Sequence, residues 1–165
     1  MSETQKKAQI MGALLEAQKS LWGVTKNSRN EFSKYDYTSA ENIIGCTRRH
    51  LQKAGLVVGR KSIHCDLVAD ELKDHTEIKV SSCFFLFHIA SEEELTYEFQ
   101  SIASVSKGST TDKAIAGSLT QSLAYWLRDL FLLPRVDQNQ LNSIKKSMET
   151  SPKIHAFNEE MRKPA

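Results

Sequence analysis

The chain has 165 residues, 40% hydrophobic and 25% charged, with seven Gly and three Pro. That suits one globular domain with a sizeable core and excludes a collagenous or low-complexity chain. The apolar run Ile10–Leu15 stops at Glu16, far short of the roughly 20 residues a membrane helix needs, so neither a membrane span nor a secretory leader is expected. The net charge of +2 excludes a uniformly polyanionic or polycationic chain.

In chain order, Ile10, Leu14, Ala17 and Leu21 share one helical stripe and predict a helix over 3–22, stopped by Gly23. Residues 23–37 read as a polar, basic loop carrying Phe32, Tyr35 and Tyr37. Thr38 and Glu41 have capping-box spacing and open a second helix, which ends at Gly55. Ala40, Ile43, Ile44, Thr47, Leu51 and Ala54 line one side of it; Arg48, Arg49, Gln52 and Lys53 fall largely on the other.

Three strands follow, over 56–68, 77–89 and 95–106. The middle one, with Cys83-Phe84-Phe85-Leu86-Phe87, is apolar on both faces and predicts a central strand covered on both sides. In the third, Leu95, Tyr97 and Phe99 alternate with polar residues, and a phase slip at Ile102 predicts a bulge. Short polar links make the three an antiparallel meander. A long helix is expected over 111–133, capped by Thr110 or Thr111. Its apolar face is Ile115, Leu119, Leu123, Trp126, Leu127 and Leu130; Ala116 and Gly117 allow close approach to the sheet, and Pro134 ends it. A short helix is expected over 138–148. The fold class is therefore α+β: two helices, a three-stranded antiparallel meander, then a long packed helix. Residues 1–135 form the domain and 136–165 a polar tail or docking segment.

The chemistry is mostly that of binding. Lys107-Gly108-Ser109-Thr110-Thr111 opens a helix whose N–H groups can hold a phosphate, but the Gly-Lys-Ser/Thr element of an ATPase loop is missing. ATP hydrolysis is not expected, and neither is a cofactor. Cys46, Cys65 and Cys83 form no Cys-x-x-Cys pair; they read as reduced thiols of a cytoplasmic protein, small core or semi-buried residues rather than zinc ligands. The five histidines show no spacing logic. One enzyme pattern stands as an alternative: Asp66 with Glu77-x-Lys79 resembles a metal-dependent nuclease, because Glu77 and Lys79 would share a strand face.

Charge is segregated. Residues 19–61 carry nine Lys/Arg and three Asp/Glu; residues 62–106 carry two and nine; residues 107–165 carry nine and six. A basic segment with interleaved aromatics fits single-stranded nucleic acid: cations follow the phosphates and rings stack on unpaired bases. The opposing reading is that Phe32, Tyr35 and Tyr37 pin a loop to the core while the charges face water.

Asn30-x-Phe32-x-Lys34-Tyr35-x-Tyr37-x-Ser39-x-Glu41 resembles the entry motif of the ERF (essential recombination function) single-strand annealing proteins of bacteriophages. Lys53-Ala54-Gly55-Leu56-Val57-Val58 is similar to the phrase ending that family's second helix. Lys107-Gly108, Asp112, Ala114, Gly117-Ser118, Trp126 and Leu130-Phe131 resemble its final helix. The family's basic pair on that helix is absent here, where Ser122-Leu123-Ala124-Tyr125-Trp126 stands. The resemblance implies an ATP-independent mediator that binds single-stranded DNA, assembles into rings or filaments and pairs complementary strands without bond breaking. On that basis Lys34, Arg48, Arg49 and Lys53 contact phosphates, Lys107 and Lys113 extend the track, and Arg128 replaces the lost basic pair. Tyr35 and Tyr37 stack on bases or order the loop. Glu92-Glu93-Glu94 faces away from DNA or meets a neighbouring copy. Further expected partners are an exonuclease or a host single-strand-binding protein, in a bacterial cytoplasm. A non-catalytic interaction module on an annealing-like fold remains the other alternative.

Overall fold

The computed structural model describes residues 3–68, 76–105, 108 and 110–149. In chain order these form α1 (Glu3–Ser20), β1 (Val24–Thr25), β2 (Ser28–Asn30), β3 (Tyr35–Tyr37), α2 (Ala40–Lys53), β4 (Leu56–Val68), β5 (Thr76–His88), β6 (Glu93–Val105), α3 (Thr111–Leu130), β7 (Arg135–Val136) and α4 (Gln138–Glu149). The mixed α+β class holds, with four helices, two antiparallel sheets and one short parallel pair among the described residues. The chain divides into two compact units, one built on α1, α2, β4–β6 and α3, the other on β1–β3, β7 and α4.

In the first unit β4, β5 and β6 form an antiparallel sheet in that order. Alternation along β5 buries Ile78, Val80, Ser82, Phe84 and Leu86. Against that face α1 contributes Ile10, Leu14 and Ala17, α2 contributes Ile43 and Leu51, and α3 contributes Trp126 and Leu127, all buried. Cys83, Phe85 and Phe87 on the other face stay half-exposed. The expectation of a strand covered on both sides is thus corrected. The apolar run reflects a central position between two strands, which shield its flanks, rather than two covering layers.

No bulge occurs at Ile102. The β5–β6 register runs unbroken from Thr76↔Val105 to His88↔Glu93. Ile102 points outward, 55% exposed, and the small Ala103 takes the inward position at 3%. The register shift lies instead in β4, between Arg60 and Ser62.

Gly55, at φ +66°, takes the left-handed conformation that stops α2. α2 begins at Ala40, so Thr38 is no cap; its hydroxyl donates to the Thr25 carbonyl at 3.3 Å. At α3 the N-cap is Thr110, without a hydroxyl bond to the helix backbone. The Asp112 carboxylate accepts from the Thr110 hydroxyl and from the Asp112 and Lys113 N–H groups, which holds its pKa below the usual carboxylate value. α3 ends at Leu130, short of Pro134, as Leu132 turns to φ +52°. Ala116 and Gly117 face solvent rather than the sheet, with nothing within 4 Å of a Cβ at Gly117. Cys65 is exposed, contrary to the semi-buried expectation, because the end of β4 beyond the bulge is exposed on both faces.

In the second unit, the stretch expected to be loop contains a hairpin. β2 pairs antiparallel with β3, Arg29 opposite Asp36. Strands of three residues are too short to show an alternating pattern. β1 lies parallel to β7, and Gly23 is hemmed in by Leu141, Val136 and Pro134. Asp137 caps α4 reciprocally with Gln140: its carboxylate accepts from the Gln140 N–H at 2.8 Å, and its own N–H donates to Gln140 Oε1 at 2.9 Å.

Candidate nucleic-acid interface

The amphipathic pattern of α2 decides its two faces. With Ala40, Ile43, Thr47 and Leu51 buried, the helical period leaves Arg48, Arg49 and Lys53 in solvent. None of the three forms an ion pair among the described residues. His50, on the same helix, bonds through Nδ1 to the Ser20 hydroxyl at 2.5 Å. Burial first, then the Lys53 and Arg49 charges, push its pKa below the ordinary value.

Beside this basic face runs a groove of about 350 Å³. Its walls are Ile44 and Leu51 of α2, Val58 of β4, and Leu123 and Leu127 of α3. Arg48 stands in its lining, as does Arg60. Arg60 donates through one terminal nitrogen to the Leu119 carbonyl at 2.6 Å and to the Ser122 hydroxyl at 3.3 Å. Its guanidinium also lies over the Phe84 ring, 4.9 Å from the centroid. Burial lowers its pKa, though an arginine stays charged throughout. Its Nε–H is buried with no hydrogen-bond partner among the described residues.

The β2–β3 hairpin, described by itself, presents aromatics. Phe32 is 97% exposed at its tip, so it pins nothing. Tyr35 and Tyr37 are also exposed and meet edge to face at 6.1 Å. The tip is ordered locally: Asn30 Oδ1 accepts from the Ser33 N–H at 2.8 Å, and Lys34 adopts φ +53°. The hairpin's cations are paired, Arg29 with Asp36 at 3.3 Å and Lys34 with Glu31 at 3.2 Å. Such exposed pairs are worth little and exchange readily.

The remaining predicted residues are dispersed. Lys113 and Arg128 sit near opposite ends of α3, about 22 Å apart at 1.5 Å per residue. Arg128 packs over the Tyr125 ring at 5.1 Å and pairs with Asp129 at 3.3 Å. Lys107 lies outside the described residues. Of the acidic run, Glu93 is turned to internal use, accepting from Ser91 and from the Ile10 N–H. Glu94 pairs with Lys61.

The nuclease pattern can also be located. Asp66 lies opposite Lys79 in the β4–β5 register, and Glu77 is opposite Val68. Asp66 pairs with His64, at 2.9 Å. Among the described residues, no group of three His, Cys, Asp or Glu side chains is arranged to hold a metal. A Ser–His–Glu cluster does exist: Ser91 Oγ is 2.8 Å from His88 Nδ1 and donates to Glu93 at 2.9 Å. With its proton committed to Glu93, the serine oxygen accepts from Nδ1–H, so the imidazole is not placed to activate it.

A family model described as the ERF superfamily matches residues 10–163. The chain belongs to that family. No curated protein matches it. The ERF match takes in the β2–β3 hairpin, the basic face of α2 and the whole of α3, and continues through β7 and α4. Two features of this ERF chain escaped the sequence reading. The exposure of Phe32 was visible only as an aromatic in a polar stretch. Arg60 lies inside a strand, where its alternation with Val58 was the one available hint of an inward-pointing side chain.

Proposed function

We propose that this chain is an ATP-independent single-stranded DNA-binding and annealing protein of the homologous-recombination type, phage-encoded and acting in a bacterial cytoplasm. The observation that carries this is the helix α2, whose Arg48, Arg49 and Lys53 are exposed and without ion pairs among the described residues, in a chain of the ERF superfamily. Unpaired exposed cations are free to release counterions from phosphates, the main source of affinity for nucleic acid. Lys113 and Arg128 extend the charge along α3, and Lys107 joins them.

Phe32, Tyr35 and Tyr37 supply flat surfaces on which unpaired bases stack. Annealing then needs no covalent step: phosphate repulsion is neutralised, bases are kept accessible, and complementary pairing supplies the free energy. The protein works as a homo-oligomer, ring or filament, and the exposed acids Glu92, Glu94 and Glu98 face away from DNA or meet a basic face of a neighbouring copy. An exonuclease or a host single-strand-binding protein is the expected further partner. Residues 1–135 carry the binding activity and the remainder serves docking.

The test is fluorescence anisotropy of a labelled single strand at two salt concentrations with duplex competitor, followed by a strand-annealing assay without ATP. Tight, salt-sensitive binding that duplex competes poorly is the expected result. Absence of binding at both salts removes the proposal and favours a protein-interaction module.

A further inference from the structure

The far half of β4, from Ser62 to Val68, is exposed at every residue. β4 is an edge of its sheet, and among the described residues no further strand pairs with it. An edge strand offers a row of free N–H and C=O groups, which another extended backbone satisfies residue by residue. Ile63, Cys65 and Leu67 lie opposite Ser82, Val80 and Ile78 in the β4–β5 register, so they share the face that forms the core. Over β5 and β6 that face is covered, with Ile78, Val80 and Ala103 buried and Ile115 and Leu119 of α3 packed against them. The cover does not reach the end of β4, where Ile63 is 48% and Leu67 70% exposed.

This uncovered segment is complementary to itself. Antiparallel pairing of two copies about a two-fold axis at Cys65 sets Ile63 against the partner's Leu67 on the core face, and Cys65 against the partner's Cys65. On the other face it sets His64 against the partner's Asp66. Apolar side chains meet apolar ones and an imidazole meets a carboxylate, both favourable cross-strand pairs. The neighbouring registers fail. An axis at His64 stacks imidazole on imidazole, an axis at Asp66 sets carboxylate against carboxylate, and a slip of one residue turns the apolar side chains to opposite faces. Within the chain His64 already meets Asp66 at 2.9 Å, both side chains being exposed, so the pairing joins two such ion pairs into one network.

We propose that residues 62–68 of β4 pair antiparallel with the same residues of a second copy, about a two-fold axis at Cys65, merging two three-stranded sheets into one of six strands. The inference rests on the homo-oligomer proposed above and names its contact. A two-fold contact closes on itself, so the pair is the unit of the assembly, and a ring or filament grows from it through other surfaces.

The experiment uses the full chain without DNA. Directly opposite residues of an antiparallel pair lie about 4.5–5.5 Å apart at Cα, within the roughly 4.4–6.8 Å that a disulfide spans. Mild oxidation therefore yields a covalent dimer, and Cys65→Ser, a change at an exposed position, loses it. Register is read in the Cys65→Ser background: Ile63→Cys mixed with a size-tagged Leu67→Cys crosslinks well, and either variant alone crosslinks poorly. Under reducing conditions Leu67→Lys raises the dimer dissociation constant about tenfold or more in sedimentation, because a lysine on an edge strand opposes pairing. Ile63→Lys gives the same reading should Leu67→Lys fail to fold. A covalent dimer undiminished in Cys65→Ser, or a mixed pair that crosslinks no better than either variant alone, overturns the inference. Assembly unchanged in both lysine variants assigns the contact to other surfaces, such as β4 against β6, and overturns the inference while the homo-oligomer stands. A monomer at every concentration overturns both. Single-strand binding is read separately by anisotropy and depends on none of these outcomes.

Discussion

The ring of Phe84 lies flat against the indole of Trp126, with centroids 4.7 Å apart and planes 5° from parallel. The pair joins the central strand β5 to α3, and both side chains are buried. Tyr97 approaches the same indole at 5.7 Å from the neighbouring strand, and burial raises its hydroxyl pKa.

Trp126→Ala removes a buried, stacked contact between α3 and the sheet and should cost about 3–5 kcal/mol. Trp126→Phe keeps the ring and deletes an indole N–H that is buried without a partner, so its cost should stay below about 1.5 kcal/mol. Urea unfolding midpoints at constant slope measure both. Equal losses would mean that the indole N–H, not the stacked surface, matters.

The register of β6 makes a sharp contrast between neighbours. Ile102→Thr lies on the exposed side and should change stability by no more than about 0.5 kcal/mol. Ala103→Leu, one residue on, intrudes on Ile78, Val80 and Ile115 and should cost about 1–3 kcal/mol. Thermal melts of the two variants decide it; the reverse order would return the bulge to Ile102.

Reversing Arg48 and Arg49 to Glu should weaken single-strand binding and flatten its salt dependence. Each phosphate contact contributes about 0.7 to the slope of log affinity against log salt for a single strand, so two lost contacts lower it by about 1.4. Both side chains are exposed, and the unfolding midpoint should stay put. A slope equal to wild type excludes them from the phosphate track.

Phe32→Ala separates a binding aromatic from a packing one. At 97% exposure the ring has no packing to lose, so the melting temperature should not move. If it stacks on a base, affinity for a single strand falls by about 1–3 kcal/mol. Unchanged affinity leaves the tip outside the DNA contact.

His50 makes stability depend on pH in a defined window. Its folded pKa lies below the ordinary 6.5, through burial and then the nearby Lys53 and Arg49 charges. In that window the unfolded chain binds more protons, so stability rises with pH. The contribution is present above pH 6.5 and is lost as pH falls through the lower folded value. Melting temperatures between pH 7.5 and 5.5 should decline in the wild type and decline less in His50→Gln. Parallel declines would assign the effect to other groups.

Elements with a local signal are legible in the chain before it folds. Helical spacing gave the buried stripe Ile10–Leu14–Ala17 and placed Arg48, Arg49 and Lys53 in solvent. The strand expected over 56–68 coincides with β4, and Gly55 marked the end of α2 because left-handed backbone suits a residue without Cβ. The tertiary structure decided the rest. Periodicity reports that a face is apolar, not whether a layer arrives to cover it, so the open side of β5 and the outward Ile102 were out of reach. The β1–β7 pairing joins residues more than 100 positions apart, and two-residue strands carry no pattern. The groove was hidden for the same reason: its walls come from three elements, α2, β4 and α3.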